Sequence, residues 1–177
     1  MLKFKKSFFV TIAIIFISLI ILFLPMKTSL TFYHKNSNQV EAILPLQAGD
    51  TFEIIFTHSI HLTDVIEKYV IQDDLTIRQD EIVYEEFGIG MPANAKEGET
   101  FVYEDGKYKI KDLNNVFSEM KIRNGKTVSE HRLLWQEADS KTNMVWLNEY
   151  FNPGEWFTVK MERLTMWQYW REVKIHE

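Results

Sequence analysis

Hydrophobic residues follow two regimes along this chain. From Phe8 to Leu24 the sequence FFVTIAIIFISLIILFL runs without a charge, with Lys3, Lys5 and Lys6 ahead of it and Pro25 and Lys27 behind. An unbroken apolar run of this kind predicts a helix that seeks a membrane. Pro25 disfavours helical geometry at the residue before it, so the helix is expected to stop by Leu24. Beyond Lys27 the run gives way to short apolar alternations separated by turn residues every eight to twelve positions or so, the rhythm of a β-sandwich or barrel.

The alternating segments predict strands at Leu30 to His34, Val40 to Leu46, Thr51 to His58, Val65 to Gln72, Leu75 to Gln79, Ile82 to Phe87 and Trp156 to Leu164. Asp105-Gly106, between Phe101-Val102-Tyr103 and Tyr108-Lys109-Ile110, suits a type I′ hairpin. So does Asn124-Gly125, between Met120-Lys121-Ile122 and Thr127-Val128, because both central residues of that turn need positive φ. Asn152-Pro153-Gly154-Glu155 has proline and glycine in type II order. Asp112 to Phe117 reads as a helical turn, and the three-residue spacing of Leu164, Trp167, Trp170 and Val173 favours a short C-terminal helix. No βαβ alternation occurs, which argues against a parallel sheet. The expected architecture is mainly β: an antiparallel sandwich or partly closed barrel, residues 28–177, behind a transmembrane segment, residues 1–27.

Charge adds direction to that picture. Three lysines before the apolar run against one just after it place the N-terminus in the cytoplasm and the β domain outside. A cleaved signal peptide would have a shorter apolar core ending in small residues, and Leu24-Pro25-Met26-Lys27 has none, so an uncleaved anchor is expected. The chain has no cysteine, which excludes lipidation at that residue and disulfides alike. Four of the twenty basic residues lie at or before Lys27 and all twenty-five acidic ones after it, leaving the outer domain at −9. Such a domain repels nucleic acid and anionic lipid headgroups alike, and neither is expected as its partner.

Most of the candidate chemistry lies in Thr57 to Glu67, THSIHLTDVIE. By the two-residue period, Phe52, Ile54, Phe56 and His58 share one strand face and Val65, Glu67, Tyr69 and Ile71 another. A hairpin around Ser59 to Asp64 would set His58 opposite Val65 and diagonal to Glu67, within reach of a long side chain. A structural His58–Glu67 hydrogen bond is the preferred reading; a proton-handling or cation site is the sharper one. His58, His61, Asp64 and Glu67 recur every three residues, but match no zinc spacing, and no metal or other cofactor is expected. Ser59 lacks a nucleophile elbow. Farther on, Gly88 and Gly90 before Pro92, in FGIGMP, predict a bulge and tight bend rather than a phosphate loop. The five tryptophans all lie between Trp135 and Trp170; they are expected to cap the β core, with membrane headgroups or a protein as alternative contacts for Trp167 and Trp170.

These segments together, FTHSIHLTDVIEKY, FGIGMP, EDGKYKI and PGEWFTVKMERLTMWQ behind a basic-apolar N-terminus, resemble the uncharacterised bacterial domain-of-unknown-function (DUF) family 1850. His58, Ser59 and Glu67 look like one family signature, and Gly88, Gly90 and Pro92 like a second. The resemblance implies a small anchored protein found alongside tripartite ATP-independent periplasmic (TRAP) transporters of the TAXI type, which import organic acids. It implies contact with their membrane subunits or solute receptor, and no established activity. The function expected is a non-catalytic accessory or binding module at the cell membrane. A small extracytoplasmic enzyme or metal-binding protein using His58 and Glu67 is the alternative.

Overall fold

The computed structural model describes residues 2–128, 130–136 and 141–176. Met1, Ser129, residues 137–140 and Glu177 lie outside the described residues, as do the side chains of Lys3, Lys5 and Lys6. Helix α1, Leu2–Phe23, opens the chain and ends where Pro25 requires it to. Its large apolar side chains from Phe8 onward are exposed. Among the described residues no helix is long and apolar enough to cross a membrane. The charge-free part of α1, Phe8 to Phe23, reaches only about 24 Å.

Eleven strands and a short helix follow: β1 Pro25–His34, β2 Val40–Leu44, β3 Thr51–Thr57, β4 Asp64–Ile71, β5 Ile77–Tyr84, β6 Thr100–Glu104, β7 Lys107–Phe117, β8 Met120–Arg123, β9 Arg132–Gln136, β10 Thr142–Trp146, β11 Trp156–Thr165 and α2 Met166–Arg171. They form two antiparallel sheets, not a closed barrel. The smaller has the order β2-β1-β11-β8 and the larger β10-β9-β3-β4-β5-β7-β6. Leu30, Phe32, Phe157 and Val159 face Phe52, Ile54, Ile71, Leu133 and Trp135 in the main core. Phe151 stacks on Phe157 with ring centroids 4.5 Å apart. A second cluster, Val65, Ile82, Tyr84, Ile110 and Leu113, lies farther along the larger sheet, with Met91 and Ala95 packed against it.

Several local expectations hold and several do not. Asp105 and Gly106 both take positive φ in the two-residue loop between Glu104 and Lys107. The Asn152–Glu155 turn closes as expected, with Gly154 at φ +88° and a Glu155 N to Asn152 O bond. Asn124-Gly125, by contrast, is no hairpin, and β8 pairs with β11 rather than with Thr127-Val128. The Asn124 side chain is buried and donates to the Phe151 carbonyl at 2.8 Å, so a residue expected at an exposed turn ties two loops together. Leu75 to Gln79 and Ile82 to Phe87 merge largely into one strand, β5. The expected helical turn at Asp112 is instead the bulged middle of β7, where Asp112 has φ +62°. Strands β9 and β10 went unread because five residues of alternation are too few to stand out without the partner β3 supplies.

Candidate functional site

The β3–β4 hairpin closes more tightly than expected. Phe56, not His58, pairs with Val65, and Glu67 pairs with Ile54. The register differs by two residues, an even number, so every side chain keeps its predicted face while its neighbours change. The reason lies in the loop: His58 N donates to Thr63 O and Leu62 N to His58 O, which closes the hairpin at 58–63. Glu67 is thereby carried four residues along the strand from His58, about 13 Å. The expected His58–Glu67 pair gives way to two separate sites.

The first site joins the HSIH loop and the FGIGMP bend. The rings of His58 and His61 stack with centroids 5.0 Å apart. His58 Nε2–H donates to the Ile89 carbonyl at 3.3 Å, while Nδ1 accepts long bonds from the Ile60 and His61 amides. This arrangement assigns the Nε2-protonated tautomer. His61 Nδ1 lies 2.9 Å from Glu86 Oε2. Gly88 is pressed against both rings: a Cβ there would sit 2.7 Å from His61 Nε2 and 3.0 Å from His58 Cε1. Gly90, at φ +91°, occupies the third position of a turn closed by Met91 N to Gly88 O, and the Pro92 carbonyl accepts from the Tyr84 hydroxyl. The bend was legible in the sequence; the reason for Gly88, close approach to two rings, was not.

Three of the four histidine ring nitrogens thus have partners within the junction, and beside exposed Ser59 and Glu86 its outward surface presents large apolar side chains. Ile60, Leu62 and Ile89 are 61%, 65% and 85% exposed, with Phe87 beside them. Leu62 is also held at φ +58°, a left-handed conformation costing a branched residue about 1 kcal/mol. Ser59 is exposed, and the nearest histidine's Nδ1 is occupied by backbone amides, so no serine–histidine couple forms. The four spaced ligands do not gather either. Asp64 is bound to Arg132 at 2.6 Å and to Thr57, and Glu67 to Tyr69. The three-ligand grouping that does form among the described residues is His34, Glu41 and Glu155. It is closed by its own bonds, His34 to Glu41 and Glu155 to Asn152.

The second site is a cleft of about 680 Å³ between the sheets, within the size range of small-molecule sites. Ile54, Phe56, Phe117, Met120, Ile122 and Trp156 supply apolar walls, and Glu67, Tyr69 and His131 the inner polar groups. Burial pushes the Glu67 carboxyl above its ordinary range, against the pull of the Tyr69 hydroxyl, which donates to it at 2.8 Å. Burial likewise raises the Tyr69 phenol, with the neighbouring carboxylate adding to the effect. His131 stacks on Phe56 and accepts the Gly125 amide at Nδ1; burial lowers its pKa to about 4. These three inner groups are thus pushed toward neutral forms, while Glu119, Lys121 and Arg123 also line the cleft. Of its polar members the sequence reading singled out only Glu67. Tyr69 was visible as its same-face neighbour, but His131, far along the chain, carried no local signal.

The tryptophans divide. Trp135 is in the core as expected, whereas Trp167 and Trp170 on α2 are 49% and 63% exposed and cap nothing. The six-residue helix half-buries Met166 and Tyr169 and leaves Trp167 and Trp170 outward.

The family model described as a domain of unknown function matches residues 52–141, half of the chain. The matched segment contains both loops of the histidine junction and the strands that carry Glu67 and Tyr69, but not PGEWFTVKMERLTMWQ. No curated protein matches the chain, and no solved structure matches it. The junction of the HSIH loop with the FGIGMP bend thus lies wholly within the matched segment, and the chain belongs to the DUF1850 family.

Proposed function

We propose that this protein is a membrane-anchored extracytoplasmic module that works by contact and binding rather than by turnover, beside a TAXI-type TRAP transporter. The observation that carries the reading is the loop junction. Two histidines, a glutamate and a glycine lock the HSIH loop against the FGIGMP bend, and the result is a rigid surface presenting Ile60, Leu62 and Ile89. Exposed aliphatic groups on a pre-ordered surface suit a protein partner, because little side-chain and loop entropy remains to be lost on docking. The transporter as partner comes from the family resemblance, and its membrane subunits or solute receptor are the surfaces to be met.

The anchor reading rests on α1. A helix apolar on every side has no place in water, and three lysines before it orient the N-terminus to the cytoplasm. Its charge-free stretch is short of a hydrocarbon core of about 30 Å, a mismatch a bilayer meets by local thinning at modest cost. Binding is preferred because the cleft has the volume and the mainly apolar lining with a few inner polar groups that suit a small ligand. The enzyme or metal alternative relied on His58 acting with Glu67, which occupy different sites.

The test is uptake of labelled organic acids in cells carrying Ile89→Ser and Leu62→Ser, with transporter subunits at normal levels. Ile89→Ser, an exposed change away from strained backbone, leaves stability within about 0.5 kcal/mol; Leu62 sits at φ +58°, so a urea melt of Leu62→Ser accompanies its uptake, and reduced uptake at natural stability reports lost contact. Unchanged uptake, with no transporter subunit among in-cell crosslinks to the loop, rejects the proposal.

A further inference from the structure

α1 ends at Phe23 and β1 begins at Pro25, so one residue, Leu24, joins the apolar helix to the β domain. That leaves little freedom in where the helix emerges. α2 lies beside the exit, in contact with α1 and with β1 and β11. It is pinned at both ends. A capping box sets its start: Gln168 N donates to Thr165 Oγ1 at 3.1 Å and Thr165 N to Gln168 Oε1 at 2.9 Å. Beyond it, Ile43 N donates to Val173 O and Ile175 N to Ile43 O, both at 2.8 Å, which fastens the tail to β2.

A helix so held cannot turn to bury its apolar face, and no residue of α2 is buried. Trp167 and Trp170, three residues apart, share a face. Val173 and Met26 are exposed as well. Two cations lie on the adjoining Tyr169 ring: Lys27 Nζ is 5.8 Å and Lys174 Nζ 4.7 Å from its centroid, and Lys174 Nζ also donates to the Tyr169 carbonyl at 2.8 Å. The outer domain as a whole is strongly acidic, so this patch differs in sign from its surroundings.

We propose that α2 is an interfacial shelf: with α1 in the bilayer, Trp167 and Trp170 rest at the headgroup level of the same membrane, and Lys27 and Lys174 meet its anionic lipids. The inference rests on the anchor reading above. The occupant is lipid because the exposed face of α2 adjoins α1, whose apolar side chains need the same surroundings. Indole rings, apolar in body and polar at one N–H, settle at that depth. Repulsion between the acidic domain and anionic headgroups leaves this basic, aromatic corner as the part that touches down. The shelf then fixes the domain's tilt and aims the histidine junction in a set direction, which a flexible tether would not do.

The full chain, reconstituted in phosphatidylcholine–phosphatidylglycerol vesicles with acyl chains brominated near the headgroup end, provides the test. Tryptophan emission is compared with that in unbrominated vesicles, for the natural chain and for the Trp167→Phe, Trp170→Phe double variant. The expected result is co-flotation of both chains, quenching in the natural chain, and loss of most of that quenching in the double variant. Co-flotation with no quenching in the natural chain, or with equal quenching in both, overturns the shelf and leaves the anchor standing. Failure of the natural chain to float with vesicles overturns the anchor and the shelf with it. The unquenched natural chain decides the matter even if the double variant folds poorly.

Discussion

The histidine junction and the inter-sheet cleft hold the same kinds of side chain and treat them in opposite ways. At the junction, His58, His61 and Glu86 bind one another and nearby backbone, and apolar residues face out. In the cleft, Glu67, Tyr69 and His131 are enclosed by apolar walls and driven toward neutral forms. Titratable residues crowded into a loop are here a packing device. Those that lie ready for chemistry or ligand binding come from separated strands and meet only on folding. Being embedded in low dielectric, rather than being numerous, is what perturbs a group.

The comparison is broken most readily by acid. His131 has a folded pKa of about 4, below its unfolded value of about 6.5. Its neutral form therefore favours the fold above about pH 6.5, and that advantage is lost as pH falls toward 4. Allowing for partial solvent contact, the loss is about 2 kcal/mol. His131→Asn, which keeps an acceptor for the Gly125 amide, is expected to abolish it in urea titrations across that range. An unchanged acid slope in the variant would move the sensitivity elsewhere.

Next in size is Gly88→Ala. The added methyl must displace the His61 ring, and overpacking of this order costs about 1–3 kcal/mol. His61→Ala in the same chain is expected to recover most of it. A Gly88→Ala protein of natural stability would mean that the junction is loose.

Glu67→Gln sharpens the other side. Because the folded pKa of Glu67 is raised, its protonated form favours the fold below the ordinary carboxylate range. That contribution disappears as pH rises through the raised value. Glutamine keeps an acceptor for Tyr69 and has no proton to lose, so the variant is expected to hold stability above the ordinary carboxylate range, where the natural chain declines. Thermal melts over that interval read the difference; a steeper decline in the variant contradicts it. The smallest effect is the coupling between the two regions. His58→Ala and Glu67→Ala are expected to add within about 0.5 kcal/mol, as distant sites do. A larger coupling would restore the direct pair that the register separates.

Local pattern accounts for the mainly β class, the apolar N-terminal helix stopped by Pro25, the Asp105-Gly106 and Asn152–Glu155 turns, the C-terminal helix and the inward face of each hairpin strand. These follow from period, turn chemistry and proline geometry, all of which act over a few residues. The other features depended on long-range packing. A two-residue difference in loop closure leaves the binary pattern untouched, so nothing local could say whether His58 or Phe56 would face Val65. Asn124 was buried by loops more than twenty-five residues away. Gly88 was required by rings from another hairpin, and His131 entered the cleft because β9 returns beside β3. Strand pairing sets these neighbours, and pairing is won by the summed burial of whole sheets, a quantity that no single stretch of the chain contains.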